Sequence, residues 1–146
     1  MKQISGTWFE VKVRYKQTQE DGTEKMVTET YVYKAADFGE AFDKAVKHMS
    51  TYTRGEFGIT AMKIAQYGEI VMQDDRTEEK YYRVKVIFIT LDEKTNKEKK
   101  TACHYLVNAD SVEKARKYAD TILSDSMVDF VIEAVQEAKI CDICLD

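Results

Sequence analysis

Hydrophobic and polar residues alternate with period two over residues 8–15. Phe9, Val11, Val13 and Tyr15 fall on one side, and Trp8, Glu10, Lys12 and Arg14 on the other. That alternation predicts a half-buried strand. A polar stretch containing Asp21-Gly22, a strong hairpin signal, leads into a second strand over residues 25–34. Asp37 reads as a helix N-cap, with Glu40 placed to complete a capping box. Phe38, Ala41, Phe42, Ala45, Val46 and Met49 then recur at helical spacing, and the helix is expected to stop before Gly55. A third strand is expected over residues 57–66. Gly68 marks a bend or bulge before a short strand, Glu69-Ile70-Val71-Met72.

The plan then recurs. Trp8 to Tyr15 is answered by Tyr81 to Phe88, Thr30 to Ala35 by His104 to Ala109, and Phe57 to Ala61 by Phe130 to Ala134. The offsets are 73 and 74 residues, as between Trp8 and Tyr81 and between Tyr31 and Tyr105. In the second copy Ser111 caps a helix striped by Val112, Ala115, Ala119, Ile122 and Leu123. Ile87 and Ile89 make the far side of its first strand more apolar than in the first copy. The expected fold is α+β: a tandem duplication of a strand-strand-helix-strand unit, with mostly antiparallel sheets each carrying one helix on one face. The first repeat covers residues 1–73 and the second 81–146. A short charged linker, residues 74–80, joins them closely, so the repeats are expected to pack as one globular unit. The first strand of each copy is expected between its two neighbours. The sequence does not say what covers the helix-free faces.

Composition narrows the function classes. With 44% hydrophobic and 33% charged residues, the chain reads as a globular protein with a well-solvated exterior. No apolar run approaches the roughly 20 residues that span a bilayer. The first residues lack the apolar core of a signal peptide, so a cytoplasmic location and no membrane partner are expected. A net charge of −4 argues against dominant nonspecific phosphate binding.

Candidate chemistry is sparse. Cys141-Asp142-Ile143-Cys144 has the C-x-x-C form, and Cys103 with His104 could complete a zinc set. The repeat argues otherwise, because Gly68, Val71 and Glu29 occupy the matching positions of the three cysteines. No metal ligand and no cofactor is therefore expected, and the cysteines read as small packing residues. Cys103 and His104 are adjacent in a strand and diverge, so they make no nucleophile–base pair. Phosphate-binding glycine loops are missing. No catalytic residue and no small-molecule substrate is expected, and the chain is read as no enzyme. The remaining candidates are aromatic and basic residues on one predicted sheet face: Trp8, Lys12 and Arg14 with Tyr81, Arg83 and Lys85. They could contact a partner or stack single-stranded nucleic acid. The plainer reading is cross-strand pairing on an exposed sheet.

The runs Trp8 to Val13, Thr28 to Tyr31, Phe57 to Ala65 and Tyr82 to Thr95 resemble an uncharacterised family, a domain of unknown function, of small proteins from gut anaerobic bacteria and their phages and mobile elements. The terminal Cys-Asp-Ile-Cys lies outside that pattern. The resemblance implies a small cytoplasmic accessory protein and supplies no catalytic residue. Together these readings favour a non-enzymatic binding or adaptor protein that contacts a protein partner or itself. Single-stranded nucleic-acid binding through the basic-aromatic face is the alternative.

Overall fold

A computed structural model describes residues 1–74 and 77–145. It is a mixed α+β protein with two sheets and two helices among those residues. The strands are β1 (Lys2–Ser5), β2 (Trp8–Thr18), β3 (Glu24–Lys34), β4 (Phe57–Ala65), β5 (Glu69–Met72), β6 (Tyr81–Leu91), β7 (Glu98–Asn108), β8 (Asp129–Ala138) and β9 (Asp142–Cys144). The helices are α1 (Phe38–Tyr52) and α2 (Val112–Leu123). The chain folds into two compact units. One holds Gly6–Ala65 and Ile140–Asp146, the other Met1–Ser5 and Gln66–Lys139. The sequence ranges 1–73 and 81–146 divide the chain differently.

In the β2–β3 unit the strand order is β4-β2-β3-β9. The period-two segment at residue 8 opens β2, which lies between β4 and β3 and is antiparallel to both. The Asp21-Gly22 signal becomes the hairpin tip. Gly22 takes φ +85°, where a side chain would be strained, and Asp21 Oδ1 accepts from the Thr23 amide at 3.0 Å. Asp37 caps α1 by accepting from the Glu40 amide at 2.8 Å, while Glu40 Oε2 accepts from the Ala36 amide. The helix ends at Thr53, in extended backbone. Ala41, Ala45 and Met49 are fully buried, and the last two join a core with Val11, Val13, Tyr15, Tyr31 and Tyr33. Phe38 and Phe42 flank that stripe and stay about half exposed, Phe38 resting edge-on against Phe9.

In the β6–β7 unit the order is β1-β5-β7-β6-β8. Here β6 lies between β7 and β8 and is antiparallel to both. Ser111 caps α2, whose Ala115, Ala119 and Leu123 pack on Tyr82, Val84, Val86, Tyr105 and Val107. Each sheet thus carries its helix on one face. β1, which the sequence pattern does not announce, pairs with β5. The 74–80 segment is expected to be a solvated connector. Asp75 and Arg76 lie outside the described residues, but the part nearest β6 is tied down. Asn108 is 1% exposed and donates to the carbonyls of Glu78 and Lys80. The Glu78 carboxylate is itself buried against the Tyr118 hydroxyl and Lys114.

Several local details recur at the repeat offsets. The β2–β4 ladder shifts register between Lys12 and Val13, and the β6–β8 ladder between Lys85 and Val86. The Gly68 amide donates to the His104 carbonyl, as the Cys141 amide does to that of Thr30. The short strands β5 and β9 each pair in parallel with a sequence-distant partner. β5 lies along β7 and β9 along β3.

Candidate functional site

Ionisable groups converge on the α1 side of β3. Period two sends Glu29, Tyr31 and Tyr33 to that face, opposite Val13, Val11 and Phe9 of β2. Tyr15 lies on the same face of β2. On α1, His48 and Tyr52 stand four residues apart and so project together. The Tyr15 and Tyr31 hydroxyls both donate to Glu29 Oε1, at 2.6 and 2.9 Å. The Tyr52 ring meets the Tyr15 ring edge to face. The Tyr33 hydroxyl lies 2.7 Å from His48 Nδ1, and the His48 ring stands edge-on to Tyr31. The Cys141 thiol stands close enough to the same carboxylate to be raised by its charge.

The electrostatics follow from burial. Tyr15 and Tyr31 are pushed well above the usual phenol range, first by desolvation and then by the Glu29 carboxylate that accepts their protons' bonds. Tyr33 is raised by desolvation and then by neighbouring Cys144 and Asp142. The Cys141 thiol is pushed up to about 11, by desolvation and by Glu29. These phenols and this thiol therefore stay protonated at neutral pH, as donors rather than nucleophiles.

Beside the cluster lies an open depression of about 960 Å³. Tyr15 and Tyr52 form its inner wall, and Met26, Lys16, Glu24 and Arg54 stand round it. It lies between the far end of the β2–β3 hairpin and the segment after α1. In the β6–β7 unit, the positions matching Tyr15, Glu29, Tyr33, His48 and Tyr52 are Phe88, Cys103, Val107, Ile122 and Ser126. Only the Tyr31 position keeps its residue, as Tyr105. An α+β scaffold of this kind therefore stands with an apolar version of the same interior.

The residues singled out in the sequence are distributed otherwise. Trp8, Lys12 and Arg14 belong to the β2–β3 unit, and Tyr81, Arg83 and Lys85 to the β6–β7 unit. Both rings are buried, Trp8 at 1% and Tyr81 at 5% exposure. Lys12 and Arg14 are exposed. Arg83 is half-buried, with its Nε donating to the Tyr67 hydroxyl at 3.1 Å, and Lys85 pairs with Glu133 at 3.1 Å. Cys103 packs against the α2-side core and Cys144 against the α1-side core. Among the described residues, no three His, Cys, Asp or Glu side chains are placed to hold a metal ion. The Glu29 cluster escaped the sequence reading. Its signal was the contrast between copies at five positions on one face.

The architecture is that of an α+β protein with two mostly antiparallel sheets. The chain belongs to the family described as Domain of unknown function (DUF4494), which matches residues 7–146. Comparison with the curated proteins and with the solved structures gave no match. Among the described residues no helix is long and apolar enough to cross a membrane.

Proposed function

We propose that this chain is a non-enzymatic binding protein that docks a protein partner on the tyrosine-lined depression of its β2–β3 unit. The observation that carries the reading is the one-sidedness of the Glu29 cluster. The scaffold does not need it, since the matching interior of the β6–β7 unit is apolar. What the cluster does is back the exposed Tyr52 with the buried Tyr15 beside an open surface. Tyrosine, methionine and arginine are the residue types that dominate binding hot spots and interface cores. Tyr52, Met26 and Arg54 supply all three in one place. The raised phenols and thiol support a binding rather than a catalytic role. The resemblance to proteins of gut anaerobes and their mobile elements supports a cytoplasmic accessory role in such a host. Burial of Trp8 and Tyr81 weighs against stacking of single-stranded nucleic acid on those rings.

The test is a paired pull-down from a gut-anaerobe lysate, with wild type and a Tyr52→Ala/Arg54→Ala variant as baits. The variant should remain folded and lose a protein that wild type retains. Identical retained sets, or an empty wild-type eluate with a lone monomer by light scattering, would reject the proposal.

A further inference from the structure

Cys141 precedes and Cys144 ends the last strand of the β2–β3 unit. β9 is held at three paired positions, Tyr31 with Asp142, Val32 with Ile143 and Tyr33 with Cys144. The Cys141 amide extends the ladder by donating to the Thr30 carbonyl at 2.8 Å. A strand advances about 3.3 Å per residue, so positions three apart stand on the order of 10 Å from each other. A disulfide needs its Cα atoms within about 7 Å. The docked strand and a Cys141–Cys144 disulfide therefore exclude one another, and in the docked chain neither cysteine is in a disulfide.

We propose that β9 is a thiol latch: reduced, it completes the sheet beside β3, and oxidation to a Cys141–Cys144 disulfide withdraws it. Docking covers Cys144, which packs against the α1-side core, while Cys141 stays exposed at the entry to β9. Because the extended strand holds the two cysteines apart and covers Cys144, ring closure takes place in the undocked tail. The oxidant is a low-molecular-weight disulfide. One cysteine thiolate attacks it, forming a mixed disulfide and releasing one thiolate. The second cysteine thiolate then attacks the protein sulfur and expels the other. Two electrons pass to the oxidant, which leaves as two thiols carrying the two cysteine protons. Withdrawal bares the β3 backbone over Tyr31–Tyr33, an open edge that another strand can pair with. The matching strand β5 has Gly68 and Val71 at the cysteine positions and carries no latch. The inference is independent of what binds the depression.

The experiment uses the full chain carrying Cys103→Ser, equilibrated in glutathione buffers of graded ratio. The disulfide is quantified by alkylation and mass spectrometry, and amide exchange is followed in both forms. Because docking favours the dithiol, half-oxidation should need about tenfold more oxidising glutathione ratios than for the same chain in denaturing urea. Exchange at Tyr31–Tyr33 should accelerate on oxidation while Leu106 on β7 is unchanged. A Cys141→Ser/Cys144→Ser variant should show neither response. Equal midpoints in buffer and urea, a disulfide that leaves exchange at Tyr31–Tyr33 unaltered, or no disulfide at any ratio would each overturn the proposal.

Discussion

The Tyr15 hydroxyl donates to Glu29 Oε1 at 2.6 Å, across fourteen residues of hairpin. Tyr31 donates to the same oxygen, so one carboxylate serves two strands. A hydrogen bond to a charged acceptor contributes about 1.5–3 kcal/mol, and a buried donor left without an acceptor costs about 1–3 kcal/mol. Glu29→Ala should therefore destabilise the β2–β3 unit by about 2 kcal/mol, and Tyr15→Phe by about 1 kcal/mol. In a cycle of Tyr15→Phe with Glu29→Gln, urea titration should show coupling of about 1 kcal/mol. Strictly additive losses would mean that the bond contributes nothing specific.

Much of the surrounding frame is legible in the sequence, because its determinants are local. Asp37 with Glu40, and Ser111, announce both helix starts. Ala41, Ala45 and Met49, with Ala115, Ala119 and Leu123, mark the buried helix faces. Asp21-Gly22 fixes one hairpin. Three things are not local. Period two separates two strand faces but does not say which is covered, so Trp8 and Tyr81 read as outward while the fold buries both. The parallel pairing of Ile70 with Leu106 and of Ile143 with Val32 joins segments far apart in sequence, and a three- or four-residue strand carries no partner information. Glu29 sits among valines and threonines as a solvent-side residue would. Its role depends on Tyr15 and Cys141, neither of which is near it in the chain.

The raised groups fix the direction of the pH response. For Tyr15, Tyr31, Tyr33, Tyr105 and Cys141 the folded chain holds the proton more tightly than the unfolded chain does. Their contribution is complete below the ordinary values, 9.0 for the thiol and 10.0 for the phenols. It drains as pH rises through about 11 for Cys141 and about 12 for Tyr105, and further for the others. The urea midpoint should hold steady from about pH 7 to pH 8 and fall between about pH 9 and pH 12. Tyr31→Phe should make that fall shallower. A midpoint that is level to pH 12 would contradict the buried, bonded state of these phenols.

Gly68 and Cys103 form a matched pair. A methyl group on Gly68 would stand 2.9 Å from Cys103 Sγ. At the matching positions of the other unit the smaller partner is exchanged: Cys141 stands where Gly68 does, and Glu29 where Cys103 does. The backbone at Gly68 is ordinary, so the constraint is space alone. Gly68→Ala should cost about 1 kcal/mol by overpacking, a modest figure because the sulfur can rotate away. In a Cys103→Ala background the same change should cost nothing measurable. Thermal unfolding of the four proteins decides this, and an equal loss in both backgrounds would place the constraint in the backbone instead.

Asn108 ends β7 and holds the segment that enters β6. Its side-chain amide donates to the Glu78 carbonyl at 2.9 Å and to the Lys80 carbonyl at 3.0 Å. The Lys80 carbonyl also accepts from the Ala109 amide. Glu78 is in turn bound by the Tyr118 hydroxyl at 2.7 Å, so the entering segment is fastened to both β7 and α2. The matching position in the other unit is Lys34, whose carbonyl accepts from Lys44 instead. Asn108→Ala removes both donations from a site 1% exposed and takes this partner from the Glu78 carbonyl, while the Lys80 carbonyl keeps the Ala109 amide, a loss of about 2 kcal/mol. Lys34→Ala, at a half-buried site with no such double bond, should cost under about 1 kcal/mol. Limited proteolysis should cleave Asn108→Ala near residues 77–80 at protease levels that leave wild type and Lys34→Ala intact. Equal protection of all three would show that packing by α2, through Tyr118 and Lys114, is enough to hold the segment without the asparagine.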